Sequence, residues 1–203
     1  MSNIIPHKSM IMRCDHIEKT AFQAVPNEIS VCYYEPGMAQ DWIDVQRKAG
    51  EFSNQSDEEV MDYFMDRFGN REEELAKRCF FLKDTATGVL IGTCMAWTAM
   101  KEGQVIPILH WLAVDQDYAG KGYARVLITL VMEKFQKISP NEPVYLHTQP
   151  KSFAAIKLYM DFGFILPKTD TYGTAVNENE EGIAILQEYV REDVYQRMLA
   201  CCR

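Results

Sequence analysis

The stretch Leu109–Val131, LHWLAVDQDYAGKGYARVLITLV, decides how this chain is read. Its first part belongs to an apolar run from Ile106 to Val114, which predicts a long buried strand. Its last part, followed to about Ile138, predicts a helix whose inner stripe is bounded by Leu127, Leu130, Val131, Lys134 and Phe135. Between them lie Gly120, Lys121 and Gly122. A strand-to-helix turn without side chains at two positions lets successive main-chain N–H groups approach an anion. Each such charge–dipole contact is worth about 0.3–1 kcal/mol, and Lys121 and Arg125 add positive charge. The same glycines would also serve a plain structural turn, so the surroundings have to decide. A P-loop is excluded because Lys121 is followed by Gly122 rather than Ser or Thr. A dinucleotide fingerprint is disfavoured because its third small position holds Arg125 and the next strand ends in His147–Thr148–Gln149, without an acid.

Outward from this centre, Val144 to Thr148 reads as a short strand bracketed upstream by Pro140 and Pro143. Ser152 is placed to cap a helix whose Ala155, Leu158, Tyr159 and Phe162 share one face until Gly163 stops it. Strand, helix, strand, helix in this order predicts a parallel pair. Towards the N-terminus, Arg78–Lys83 and Val89–Thr98 flank the turn signal Asp84–Thr85–Ala86–Thr87–Gly88 and predict a hairpin. Ser56 and Glu59 form a capping box for a helix carrying Val60, Phe64 and Phe68, while Asp41–Ala49 predicts the helix before it. Ile29–Tyr34 reads as the first strand, with residues 1–28 as an N-terminal extension. In the variable segment 166–203, Ile183, Leu186, Val190, Val194 and Met198 favour a closing helix from Gly182 to about Leu199; a strand at Gly182–Leu186 is the competing reading.

The 203 residues suit one domain, and no repeat or linker divides them. Hydrophobic residues at 47% and charged residues at 25% exclude disorder as the governing property. A net charge of −8 argues against nucleic acid as partner, and no apolar run approaches a membrane span, so a cytoplasmic protein with a small-molecule partner is expected. The six cysteines and four histidines show no zinc-ligand spacing, and no metal is expected. Cys79 and Cys94 fall inside strand-like runs and read as small buried hydrophobes.

Taken with SFAAIKLYMDFGF at 152–164, the opening stretch resembles the GNAT superfamily of acyl-CoA-dependent N-acetyltransferases. In that family an apolar strand precedes an Arg/Gln-x-x-Gly-x-Gly/Ala turn, and further along comes Ala-x-x-Leu-Tyr-x-x-x-Gly-Phe. Here the first motif falls on Asp117–Gly122 and the second on Ala155, Leu158, Tyr159, Gly163 and Phe164; the clear match runs from 106 to 165. Asp117 departs from the usual Arg or Gln, and Ser152 stands where Asn is common.

The resemblance implies an α/β (α+β) fold. Its mixed central sheet would have about six or seven strands, antiparallel N-terminal strands, a central parallel pair and helices on both faces. It implies acetyl-CoA as cofactor, with the pyrophosphate on Gly120, Lys121, Gly122, Tyr123, Ala124 and Arg125, and the pantetheine arm on Leu112, Val114 and Ser152. Tyr159 matches the position that protonates the departing thiolate, and a main-chain N–H near Ala113 or Val114 would meet the oxyanion.

An aliphatic amine with a pKa near 10 is only about one part in a thousand neutral at pH 7, which adds roughly 4 kcal/mol to attack on a thioester. A base or water relay would help. His110, placed by strand alternation on the face of Leu112 and Val114, and Glu51 are the candidates. Phe52, Trp97, His110 and Trp111 are candidates for the amine acceptor's pocket, with core packing the alternative for the two tryptophans. Two other classes compete: a catalytically silent acyl-CoA-binding or sensing module on the same fold, and a partner-binding protein without CoA affinity. A homodimer is left open.

Overall fold

The computed structural model describes residues 5–203. Among these, six strands form one mixed sheet: β1 (Met10–Cys14), β2 (Ile29–Tyr33), β3 (Cys79–Asp84), β4 (Leu90–Lys101), β5 (Gln104–Val114) and β6 (Val144–Thr148), in the order β1-β6-β5-β4-β3-β2. The pair β5–β6 is parallel, while β1–β6, β2–β3 and β3–β4 are antiparallel. With helices on both faces, this is the expected fold class. The chain clusters into two compact units.

One unit comprises Gln23–Trp97 and Leu109–Ile138. It contains α1 (Ala39–Lys48), α2 (Asp57–Phe68), α3 (Glu72–Arg78) and α4 (Tyr123–Ile138). The capping box forms as the sequence predicts. The Ser56 hydroxyl accepts from the Glu59 N–H at 3.2 Å, and the Glu59 carboxylate accepts from the Ser56 N–H at 2.7 Å. It points the stripe Val60, Phe64 and Phe68 inward, against Trp42 of α1. Helix α4 buries Val126, Leu127, Val131, Met132 and Phe135, and the side chain of Leu127 reaches Gly92 of β4. Cys79 and Cys94 are buried in β3 and β4, as read. Helix α3 is an element the sequence reading lacks; its single buried residue, Leu75, gives no periodic signal.

The other unit comprises the described part of Met1–Phe22, together with Thr98–Ile108 and Ser139–Arg203. Strand β1 corrects the reading of residues 1–28 as an extension: Met10–Cys14 pairs with Val144–Thr148, and Ile29–Tyr33 is therefore the second strand. Both faces of β1 are covered, so its sequence does not alternate. Ser152 precedes α5 (Phe153–Asp161), but its side chain makes no capping bond, contrary to expectation. The closing segment is helical in two pieces, α6 (Asn179–Leu186) and α7 (Glu192–Cys201), not one helix and not a strand. Buried Asn179 fixes α6 to β1: its amide accepts from the Ile11 N–H at 3.0 Å and donates to the Ile11 carbonyl at 2.9 Å. No helix among the described residues is long and apolar enough to cross a membrane.

Candidate active site

The turn from Asp115 into α4 spends its first N–H groups on itself. Those of Asp117 and Tyr118 donate to the Asp115 carboxylate (3.0 Å) and carbonyl (2.9 Å), and that of Ala119 to the Gln116 carbonyl (3.1 Å). Beyond the cradle, the N–H groups of Arg125 and Val126 both return to the Gly122 carbonyl, at 2.9 and 3.2 Å. Between these, the main-chain N–H groups of Gly120, Lys121, Gly122, Tyr123 and Ala124 take no acceptor among the described residues. Gly120 and Gly122 have φ of +78° and +86°, a left-handed conformation that side chains resist, and the space a Cβ would take at Gly120 is open. Consecutive donors without an acceptor among the described residues, at the start of a 16-residue helix whose dipole is positive at that end, are chemically suited to an anion. The donor set and the open backbone fit a diphosphate such as that of coenzyme A. The Lys121 ammonium lies over the Tyr118 ring, 4.7 Å from its centroid.

A second feature is built from α1, α2 and β5. Phe52 and Trp111 are both bulky non-glycine residues at positive φ, +55° and +51°, and their rings touch at 5.3 Å between centroids. Backbones of this kind cost about 1–3 kcal/mol each and persist only where neighbours enforce them. Consecutive residues of α1 do so. Gln46 Nε2 donates to the Trp111 carbonyl at 3.2 Å, and Arg47 Nη1 to the Phe52 carbonyl at 3.1 Å. Tyr63 contacts both rings at 5.7 Å, and fully buried Trp42 lies 5.3 Å from Trp111. Burial raises the Tyr63 phenol above its ordinary pKa, opposed by Arg67 and Trp111.

The kink at Trp111 corrects the alternation expected along β5. In a regular strand His110 and Trp111 would face opposite ways. Here both join one aromatic cluster, His110 lying 5.7 Å from Trp111 and 6.3 Å from Phe68. Trp97 packs on Phe68 at 5.3 Å, with the Arg71 guanidinium 4.2 Å above its ring. The four residues proposed from sequence for an acceptor pocket therefore come together. Glu51 is next to them, its N–H donating to the Gln46 carbonyl at 3.0 Å.

Residues 40–164 match the profile of the acetyltransferase (GNAT) family, more than half of the chain. The chain belongs to this family. A comparison with curated proteins finds no match. Among solved structures it is similar to a GCN5-related N-acetyltransferase from Sphaerobacter thermophilus (18% identity, TM-score 0.60, covering 79% of this chain and 48% of that one). It is also similar to a GNAT-family acetyltransferase from Colwellia psychrerythraea (15%, 0.57, 79% and 53%) and to a protein from Pyrococcus horikoshii OT3 (22%, 0.55, 73% and 95%). At such identities these likenesses concern the fold alone, and the chain spans about half the length of the first two.

The remaining residues carried over from GNAT motifs are distributed as follows. Leu112, Ala113 and Val114 close β5 just before the cradle; Ala113 is buried, Leu112 and Val114 half-buried. Tyr159 lies on α5 of the other unit, 6% exposed, with its ring 5.8 Å from Phe164 and its carbonyl accepting from the N–H groups of Phe162 and Phe164 at 3.0 and 3.2 Å. Ser152 is in that unit too. The sequence reading missed Gln46, Arg47 and Tyr63. Gln46 carried a usable signal: a polar residue one helical turn after Trp42, on the buried face of α1.

Proposed function

We propose that this GNAT protein transfers an acetyl group from acetyl-CoA to a primary amine of a small molecule or peptide, by direct attack in a ternary complex. The observation that carries the reading is the row of five N–H groups from Gly120 to Ala124 without acceptors among the described residues, at the start of α4. Acetyl-CoA, when bound, supplies an acyl group activated as a thioester. The chain's own residues do the rest. The cradle and Arg125 hold the diphosphate, and Leu112, Val114 and Ser152 hold the pantetheine arm. Phe52, Trp97, His110 and Trp111 receive the amine, whose cation suits aromatic faces until it is deprotonated. His110 or Glu51 takes the amine proton, directly or through water. A main-chain N–H at Ala113 or Val114 meets the developing oxyanion, and the Tyr159 phenol donates a proton to the leaving sulphur. The whole of 1–203 works as one acetyltransferase domain in this reading.

Calorimetric titration of CoA into the wild-type protein and into Gly122→Val tests the reading at its base. Valine at this φ, on the face where the phosphate approaches, weakens binding by about 1–2 kcal/mol. Equal affinity in a folded variant places the cofactor elsewhere. CoA binding without turnover on any amine returns the acyl-CoA sensor, the reading motivated by Asp117 and Ser152.

A further inference from the structure

The anion cradle has a neighbour that no motif points to. A Cβ built on Gly122 would stand 2.9 Å from Nε2 and 3.1 Å from Oε1 of Gln23 but 3.4 Å from the amide carbon, so the Gln23 amide turns its polar edge toward the backbone of the turn. Gln23 comes from the loop before β2 and is fixed in place from outside. Its N–H donates to Thr129 Oγ1 at 3.1 Å, and the Thr129 hydroxyl donates in turn to the Arg125 carbonyl at 2.8 Å. A buried hydroxyl on the second turn of α4 therefore anchors the main chain of Gln23, from which the side-chain amide reaches Gly122. Within the turn itself the ionisable side chains serve this purpose poorly. Asp117 is an acid, and the Lys121 ammonium is stacked on Tyr118.

We infer that Gln23 is a further binding residue of this site, its Nε2 donating to the diphosphate of the cofactor alongside the main-chain N–H groups. The inference rests on the reading of the turn as the CoA site. The amide is half-buried and held on one side by the chain, so little freedom is lost when an anion orients it with Nε2 forward. The contact makes a second demand for glycine at 122, because any side chain there displaces the amide as well as straining the backbone.

The test is calorimetric titration of CoA and of pantetheine, which lacks the diphosphate, into wild-type protein and the variants Gln23→Leu and Gln23→Ala, with melting temperatures recorded for each. Leucine keeps the volume against Gly122 and removes the donor. Both variants are expected to lose about tenfold in CoA affinity (~1.4 kcal/mol) while binding pantetheine as the wild type does. CoA affinity within about twofold of wild type, or equal losses for CoA and pantetheine, overturns the assignment and leaves Gln23 as packing. A wild-type protein that binds no CoA at all removes the anion site itself, an outcome distinct from a wild type that binds and a Leu variant that binds equally well.

Discussion

Replacing Gln46 with leucine separates what holds this protein together from what shapes its acceptor site. The Gln46 side chain is fully buried; Nε2 serves the Trp111 carbonyl at 3.2 Å, and Oε1 has no partner among the described residues. Leucine removes one neutral hydrogen bond, worth about 0.5–1.5 kcal/mol net, and leaves the Trp111 carbonyl unpaired, which costs about 1–3 kcal/mol. It also removes a buried, unpartnered amide oxygen with a penalty of the same size, and adds an apolar side chain to an apolar surrounding. These contributions nearly cancel, so the urea midpoint is expected to move by no more than about 1 kcal/mol in stability. Trp111, however, loses the bond that holds it at φ +51° against about 1–3 kcal/mol of strain. Its relaxation to a regular strand would turn His110 and Trp111 to opposite faces, so kcat/KM for the amine should fall at least about tenfold (~1.4 kcal/mol), chiefly through KM. Trp fluorescence should shift with it. An unchanged kcat/KM and spectrum would refute the reasoning, and a large loss of stability with normal kinetics would make Gln46 a structural residue only.

Tyr159→Phe keeps the ring on Phe164 and removes only the hydroxyl, so kcat should fall about 10²–10⁴-fold with little change in CoA affinity; retention within about threefold would assign the proton to another donor. Asp170 supplies a pH prediction. Burial alone would raise its pKa, but the bonds it accepts from Lys101, Arg13 and Tyr145 outweigh that and hold it below the ordinary 3.8. A depressed folded pKa stabilises above the unfolded value and is lost as pH falls through the folded one, so Asp170→Asn should be less stable than wild type at pH 7 and match it in strong acid. Denaturant melts of both proteins at several pH values read this directly, and a gap that persists in acid would mean that the network acts through geometry and not charge.

How far the sequence could be read depended on where periodicity and turn chemistry agree with burial. The β3–β4 hairpin, α2 with its capping box, α4 and β6 all lie where a one-sided apolar stripe or a buried run ends at a clear turn signal. Strand β1 did not announce itself, because MIMRC is covered on both faces and carries a single β-branched residue. The closing segment kept its helical period across Glu188–Arg191, where the chain in fact breaks between α6 and α7; periodicity does not register a break that preserves phase. At the candidate site, the glycine turn was legible as local chemistry. The kink at Trp111 was not, since nothing in HWL demands a left-handed backbone; it depends on an amide donated from α1. Gln23 lies still further from any local signal, in a loop that only the folded chain brings to Gly122.

The measurement closest to the central claim is release of free thiol from acetyl-CoA in the presence of purified protein and a panel of amino acids, polyamines, aminoglycosides and peptide N-termini. The account predicts amine-dependent thiol release on at least one member of the panel, slowed about 10²–10⁴-fold in Tyr159→Phe. CoA that binds at the turn but is never consumed with any amine would contradict the enzyme, and CoA that fails to bind at millimolar concentration would contradict the site.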